Sequence, residues 1–261
     1  MNKVSIINTG HLSVPSQEVY SKEALSLLPE PGRKRIKMPV FSFLVQNSDF
    51  SVLVDASGTN YEFMPWIIRQ YIKTRFKPEP AESISSQLKE RGVKKLDFVF
   101  TTHLHFDHVS GLEEVVCDFN PHVFISPNEF KQAGKRFKMG YPSRKYFKQL
   151  LPKPLPNMEK YGLSTIELSG HSYGDVGLAV SSSRVLIVGD AIEGPLGFVG
   201  NPPKIFKKDY TAYQARIEYL RGLSGDFAIL SSHDPFLQAC DNVLDIVPEI
   251  MERQKSFANL S

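Results

Sequence analysis

The sequence predicts a single α/β domain over residues 1–261. Three observations lead there. Short apolar runs rich in Val, Ile and Phe recur along the chain, as in Phe41–Val45, Val52–Val54 and Phe98–Phe100. Helix-like stretches, each with a start or stop signal, fall between several of them. Polar residues with metal-binding side chains follow directly on the apolar runs, where layered α/β folds place their sites. With 41% hydrophobic and 23% charged residues, the composition is that of an ordinary globular chain with a large core. No Gly/Ser linker or low-complexity stretch divides it.

Taken in order, residues 3–8 read as a first strand. Thr9 to Lys37 reads as loop, broken by Pro15, Pro29, Pro31 and Gly32, with a short helix over Ser21–Leu28. Arg33–Lys37 is a basic run, read as a solvated loop or a contact for an anionic substrate. Met38–Val45 and Ser51–Asp55 form a hairpin through the turn Asn47-Ser-Asp49. Residues 60–76 suggest a helix after Pro65 carrying an aromatic cluster around Trp66. Ala81–Arg91 is a better helix, stopped by Gly92.

Leu96–Phe100 reads as a buried strand. It runs into Thr101-Thr-His-Leu-His-Phe-Asp-His-Val-Ser-Gly111, the stretch on which the functional reading turns. Imidazole nitrogens and carboxylate oxygens are the donors a borderline divalent ion such as zinc takes. His103, His105, Asp107 and His108 crowd four of them into six positions. In extended chain, alternate side chains share a face, so His103, His105 and Asp107 can converge, while Asp107 and His108 point apart.

After it come a helix from Gly111, a strand at His122–Ile125 and a helix from Pro127 to Phe137. Lys131–Lys153 is rich in Lys and Arg and has no acid. It reads as an irregular basic excursion, either solvated surface or a flap over a substrate. Strands follow at Ser164–Leu168, Gly177–Val180, Arg184–Val188 and Phe227–Leu230. Helices are expected at Asp209–Arg221 and Val243–Phe257, the latter bent at Pro248. Three more candidate ligands end apolar runs: His171 after Leu168, Asp190 after Val185–Gly189, and His233 after Ile229–Ser232. His122 is assigned a structural role, and His11 lies in an N-terminal loop.

The net charge of +3 gives no signal for nucleic acid, and no apolar run reaches membrane-spanning length. Met1-Asn-Lys-Val-Ser-Ile-Ile7 lacks the apolar core of a signal peptide, which points to a cytoplasmic protein. Cys117 and Cys240 have no CxxC spacing; Cys117 reads as a small buried hydrophobe. The expected partner is a small-molecule substrate, with neither nucleic acid nor membrane.

His-Leu-His-Phe-Asp-His at 103–108, Gly170-His171, Gly189-Asp190 and Ser232-His233 together resemble the metallo-β-lactamase superfamily, in blocks that cover nearly the whole chain. The resemblance implies a four-layer αββα sandwich, two mixed sheets flanked by helices, with the site between the sheet edges. It implies two divalent metal ions, zinc first, with iron or manganese as alternatives. His103, His105 and His171 would hold one ion, Asp107, His108 and His233 the other, and Asp190 both. Asp107 is also assigned a catalytic part. The expected activity is hydrolysis by a metal-bridging hydroxide.

Within the superfamily, the N-terminal layout and the Thr102-His-Leu-His-Phe-Asp-His108 stretch are most similar to the N-acyl homoserine lactonases, which implies a lactone or related ester. Glyoxalase II-like thioesterases and phosphodiesterases share the ligands. A non-enzymatic metal sensor is the remaining class. Two departures stand out. Tyr173 and Asp175 replace the usual Pro and second His after His171, and Glu193 stands where lactonases carry a carbonyl-polarising Tyr. Tyr173, Glu193 and Tyr210 are therefore the substrate-binding candidates, with Tyr213 a further phenol. Asp55 and Asp175 are expected to orient the ligands or hold their loops.

Overall fold

The computed structural model describes residues 2–28, 32–58, 61–62, 64–132, 157–204 and 207–260. Its strands form two mixed sheets. The first has the order β4 (Glu79–Pro80), β1 (Lys3–Pro15), β2 (Arg35–Gln46), β3 (Ser51–Val54), β5 (Phe98–Phe100) and β6 (His122–Phe124). The second has the order β10 (Ala228–Ser231), β9 (Val185–Gly189), β8 (Val176–Val180) and β7 (Leu163–Glu167). The helices are α1 (Lys22–Ser26), α2 (Trp66–Arg75), α3 (Ile84–Glu90), α4 (Phe106–Val109), α5 (Leu112–Phe119), α6 (Pro127–Gln132), α7 (Tyr210–Leu223) and α8 (Val247–Ala258).

The period of two along the strands builds the layers. Val4, Ile6, Phe43, Val45, Val52, Val54 and Phe100 face inward from the first sheet. They meet Leu178, Val180, Val185, Ile187, Ala228 and Leu230 of the second in one buried cluster. Their chain neighbours point the other way. Ile7, Leu44, Leu53 and Val99 pack under Ile84 and Leu88 of α3 and Leu112 and Val115 of α5. Ala179, Leu186, Val188 and Ile229 pack under Tyr213, Ile217 and Leu220 of α7. Each Val, Leu, Ile or Phe side chain among them contributes about 1.5–3 kcal/mol when fully buried. The result is the expected αββα sandwich.

Strand direction places the site. β3 and β5 are parallel, and so are β9 and β10. β7 is antiparallel to β8, and β8 to β9, so β7 runs with β9. The C-terminal ends of these strands therefore share one edge, and the segments beginning at Asp55, Thr101, Leu168, Asp190 and Ser232 leave from it.

Several elements differ from the sequence expectation. β1 runs on to Pro15 instead of ending near Asn8, because Leu12 and Val14 keep the alternation and bury beside Met38. The register slips between Asn8 and His11, which is the break that reads as loop. His11 consequently sits in a strand, opposite Pro39 and Glu79. Arg35 and Lys37 belong to β2; Arg35 bonds the Ser13 and Arg75 carbonyls and Lys37 pairs with Glu79 at 2.6 Å. The hairpin turn is as expected, with the Asn47 side-chain oxygen accepting from Asp49 and Phe50 N–H.

Cys117 is exposed, not buried, because α5 buries Leu112 and Val115 and turns Cys117 outward. Trp66 opens α2 and is 65% exposed, so it does not anchor an aromatic core. The last helix does not bend at Pro248. A short 3-10 turn at Val243–Asp245 ends first, and Pro248 sits in the opening turn of α8, where its missing N–H costs no helical bond. Of the expected helix Pro127–Phe137 and the basic stretch Lys131–Lys153, the residues from 133 onward lie outside the described residues. Among the described residues no helix is long and apolar enough to cross a membrane.

Candidate metal centre

Asp190 stands at the middle of the site. It follows β9, where Gly189 takes a left-handed turn (φ +57°) and a Cβ would fall 2.4 Å from the Thr102 hydroxyl oxygen. Only glycine allows that approach. One Asp190 oxygen, Oδ2, lies 3.8 Å from His103 Nε2 and 3.4 Å from His171 Nε2. The other, Oδ1, lies 3.2 Å from His108 Nε2 and 3.5 Å from His233 Nε2.

The donors fall into two groups, each with its ligand-type atoms within 4.8 Å of one another: His103, His105, His171 and Asp190, then Asp107, His108 and His233. In the first, His105 Nδ1 is 3.0 Å from His103 Nε2 and 2.9 Å from His171 Nε2. In the second, Asp107 Oδ2 is 3.2 Å from His233 Nε2. The reading of 103–107 as one extended face does not hold. The chain turns into α4 at Phe106, whose ring buries beside Leu12 and Met38, and this carries Asp107 and His108 away from His103 and His105.

A set of contacts behind the donors fixes which nitrogen each ring offers. Asp55, fully buried and itself left-handed (φ +57°), accepts from Thr102 N–H at 2.7 Å and from the Thr102 hydroxyl at 2.8 Å. His108 Nδ1 donates to the same carboxylate at 2.8 Å. The Thr102 oxygen lies 3.1 Å from His103 Nδ1 and can accept from it. One carboxylate thus sets His108 directly and His103 through a hydroxyl. His233 Nδ1 donates to the Pro39 carbonyl at 2.7 Å. These bonds leave the Nε2 atoms of His103, His108 and His233 to face the cluster.

The charges divide the same way. Burial pushes the His103, His105 and His171 imidazoles down, His105 to about 4, so these rings are uncharged at neutral pH. Burial also opposes charge on His108 and His233, but Asp190 leads the carboxylates that outweigh it, raising His233 to about 10. Burial likewise works against the charge of Asp190, yet His233 and His108 hold it well below the usual carboxylate range. Two protons on imidazoles thus balance the acids, a job a divalent cation does with better geometry. His108 Nε2 and Asp190 Oδ1 are buried without any hydrogen-bond partner. With the His108 proton on Nδ1, both atoms offer lone pairs, and two buried electron-pair donors 3.2 Å apart fit a cation between or beside them. The donor set therefore suits divalent metal, and binding would release protons.

Asp175 touches no ligand imidazole. Its carboxylate accepts from Ser172 N–H at 2.6 Å and from the Ser172 hydroxyl, while Glu129 accepts from the same hydroxyl and from Gly174 N–H at 2.8 Å. One hydroxyl proton cannot serve two carboxylates, so one acid must carry a proton. Burial first, and the charge of Glu129 next, raise Asp175 to about 8. A carboxyl raised in the folded state stabilises fully below its unfolded value and loses that contribution as pH rises through the folded one. Wild-type stability should therefore decline between about pH 4 and pH 8 on this account. Asp175→Asn should lack that decline and be more stable than wild type at pH 9 by roughly a few kcal/mol. Urea midpoints across pH check this; a difference independent of pH would remove Asp175 as the titrating group.

The His171 loop has a second tight point. Gly170 (φ +152°) would place a Cβ 2.7 Å from Tyr213 N and Cα, which are backbone atoms of α7 and cannot move aside. Gly170→Ala should cost about 3 kcal/mol or more in urea unfolding; a loss under 0.5 kcal/mol, roughly that of an unremarkable surface change, would show the contact is not rigid.

A cavity opens over both groups. Leu12, Val14, Val19, Met38, Phe76 and Phe106 supply its apolar wall, interrupted by Glu18, which is ion-paired with Arg75, and His105, Asp107, His171, Asp190, Glu193, Lys207 and His233 supply its polar end. Of the sequence-predicted substrate residues, only Glu193 lines it. Tyr173 is 39% exposed and absent from the wall, and the Tyr210 hydroxyl donates to the Pro202 carbonyl at 2.9 Å. Tyr213 spends its hydroxyl on Glu193 Oε2 at 2.7 Å. Glu193 is buried and ion-paired with Lys207. Sequence reasoning missed Lys207, Glu129 and Thr102. Nothing in Lys204–Lys208 distinguishes Lys207 from Lys208, and Glu129 reads as an ordinary first-turn helix acid.

Residues 35–233 match the metallo-beta-lactamase superfamily. A probable metallo-hydrolase of Methanocaldococcus jannaschii is 32% identical over 116 residues, 42% of this chain and 55% of that protein. A hydroxyacylglutathione hydrolase of Brucella ovis is 27% identical over 197 residues, 69% of this chain. The chain spans 55% and 65% of the length of these two relatives. Among solved structures, an N-acyl homoserine lactone hydrolase with N-hexanoyl-L-homoserine bound at its catalytic metal centre superposes with a TM-score of 0.65 at 21% identity, covering 91% of this chain and 98% of that one. At that identity the likeness is one of fold. With the fold shared and most of its length matched, the chain belongs to the metallo-β-lactamase superfamily.

Proposed function

We propose that the protein is a dinuclear metal-dependent hydrolase, zinc-loaded by preference, acting on a lactone or related carboxylic ester. The observation that carries this is Asp190, whose two oxygens face two separate donor groups at the floor of an apolar-walled cavity. His103, His105 and His171 would hold one ion, Asp107, His108 and His233 the other, and Asp190 both. Two bound divalent ions lower the pKa of water from ~15.7 towards ~7 and polarise a carbonyl oxygen.

The chain's own residues do the rest. Asp55, Thr102 and the Pro39 carbonyl hold three rings in the tautomer that offers Nε2. Asp107 lines the cavity, and to it we assign the proton transfer, taking a proton from attacking water and returning it to the leaving oxygen. Leu12, Val14, Val19, Met38, Phe76 and Phe106 exclude water and take an acyl chain. That wall favours an acyl substrate over a phosphodiester, for which a cationic wall would be needed. A thioester is the second reading, supported by the hydroxyacylglutathione hydrolase relatives. Both cysteines are free, which fits the cytoplasmic location we also propose.

A panel of acyl homoserine lactones, simple lactones, thioesters and bis-aryl phosphodiesters tests the reading. The lactones should show the highest kcat/KM. Preference for the thioester would move the assignment to the second reading, and a hundredfold preference for the phosphodiester, about 2.7 kcal/mol, would overturn both.

A further inference from the structure

The cavity wall beside His171 carries a charge that the chemistry above leaves idle. Lys207 has a side chain only 2% exposed, yet it lines the cavity with His105, His171 and Asp190. A buried ammonium is costly unless held, and this one is held on two sides. Glu193 Oε1 accepts one of its N–H groups, and the Tyr213 ring lies beneath it, 4.1 Å from Nζ to the centroid. Glu193 is itself fixed by the Tyr213 hydroxyl on Oε2 and by the Tyr20 hydroxyl, which donates to its carbonyl at 2.8 Å.

An ammonium has three N–H groups. The carboxylate and the ring face take two. Among the described residues the third has one polar neighbour, His171 Nδ1, at 3.4 Å. His171 turns Nε2 to the donor cluster, 2.9 Å from His105 Nδ1. A neutral imidazole that offers Nε2 as a lone pair carries its proton on Nδ1, and then has no lone pair for Lys207. In that state the third N–H has no acceptor among the described residues of the wall and stands beside the cavity.

We propose that Lys207 is a substrate-contacting residue, whose third N–H donates to an oxygen of the ester head at the His171 end of the cavity. Glu193 and Tyr213 are its positioning residues. The substrate class follows from both ends of the cavity: a neutral ester or lactone head for the Lys207–Glu193 pair, which has no net charge, and an acyl chain for the wall of Leu12, Val14, Val19 and Met38. This rests on the ester-hydrolysis reading above, and its test separates the two.

The zinc-loaded wild-type protein, Lys207→Met and Lys207→Arg are compared on the best panel substrate, with bound zinc measured in each. Lys207→Met should keep its zinc and lose about 100-fold in kcat/KM, the usual cost of one donor to a reacting oxygen. Lys207→Arg keeps a charged donor and should recover to within about tenfold. A second arm measures methyl hexanoate binding by calorimetry to metal-free wild type and metal-free Lys207→Met. Affinity should fall about tenfold or more in the variant. Unchanged kcat/KM in Lys207→Met, equal methyl hexanoate affinity in the two proteins, or no methyl hexanoate binding by wild type overturns the assignment. If wild type hydrolyses no panel member while the methyl hexanoate difference holds, the functional reading fails and the Lys207 contact stands.

Discussion

Asp190→Asn should fold normally, bind at most one zinc tightly, and lose at least about 10³-fold in kcat/KM, about 4 kcal/mol of transition-state stabilisation. The substitution keeps the shape of the side chain and removes its charge. Asp190 lies within 3.8 Å of four ring nitrogens, two in each donor group, so no other side chain can take its place between them. The fold should tolerate the change because the metal-free protein has a way to compensate. His108 and His233 are charged chiefly on account of Asp190, against the pull of burial, and can release their protons when it goes. Zinc content by mass spectrometry after dialysis, read beside the urea midpoint, separates the two effects. Retention of both metals with full activity would remove Asp190 from the site.

The second large effect belongs to Asp55, which touches neither group of Nε2 atoms. Asp55→Ala should destabilise the protein by about 3–5 kcal/mol, because it strands a buried imidazole, a buried hydroxyl and a buried N–H at once. Asp55→Asn is the sharper probe. Its amide oxygen can still accept from Thr102 N–H, and Asn tolerates the left-handed backbone. Its NH2 group, however, meets His108 Nδ1, which must then become an acceptor and move its proton to Nε2. That proton sits where the metal would bind. Asp55→Asn should therefore cost less than about 2 kcal/mol in stability but weaken zinc binding about 10- to 100-fold. Equal zinc affinity in Asp55→Asn and wild type would show that the tautomer of His108 is not set by this bond.

The layered fold was legible because burial on two faces forces both faces of each strand to be apolar or alternating, and runs such as Phe41–Val45 carry that pattern openly. The second half of β1 was not, because the register slip after Asn8 interrupts the alternation and Pro15 reads as a loop residue. The donors were legible because His and Asp clustered after strand ends have few structural uses in combination. Their grouping is another matter: an extended reading of 103–107 joins Asp107 to the wrong partners, and only the packing of Phe106 turns the chain. Substrate residues were the least legible. Tyr173 and Tyr210 look suitable by type, but one points to solvent and the other bonds a loop carbonyl. Lys207 looks like any surface lysine until Glu193 and Tyr213 close around it.

Metal-free protein titrated with zinc, with bound metal and lactone turnover read from the same samples, tests whether these side chains build a two-metal hydrolytic site. Binding should saturate at two equivalents, as the two donor groups require, and turnover should appear with the second. Saturation at one equivalent, or two bound equivalents with no hydrolysis of any ester, lactone or thioester, would contradict it.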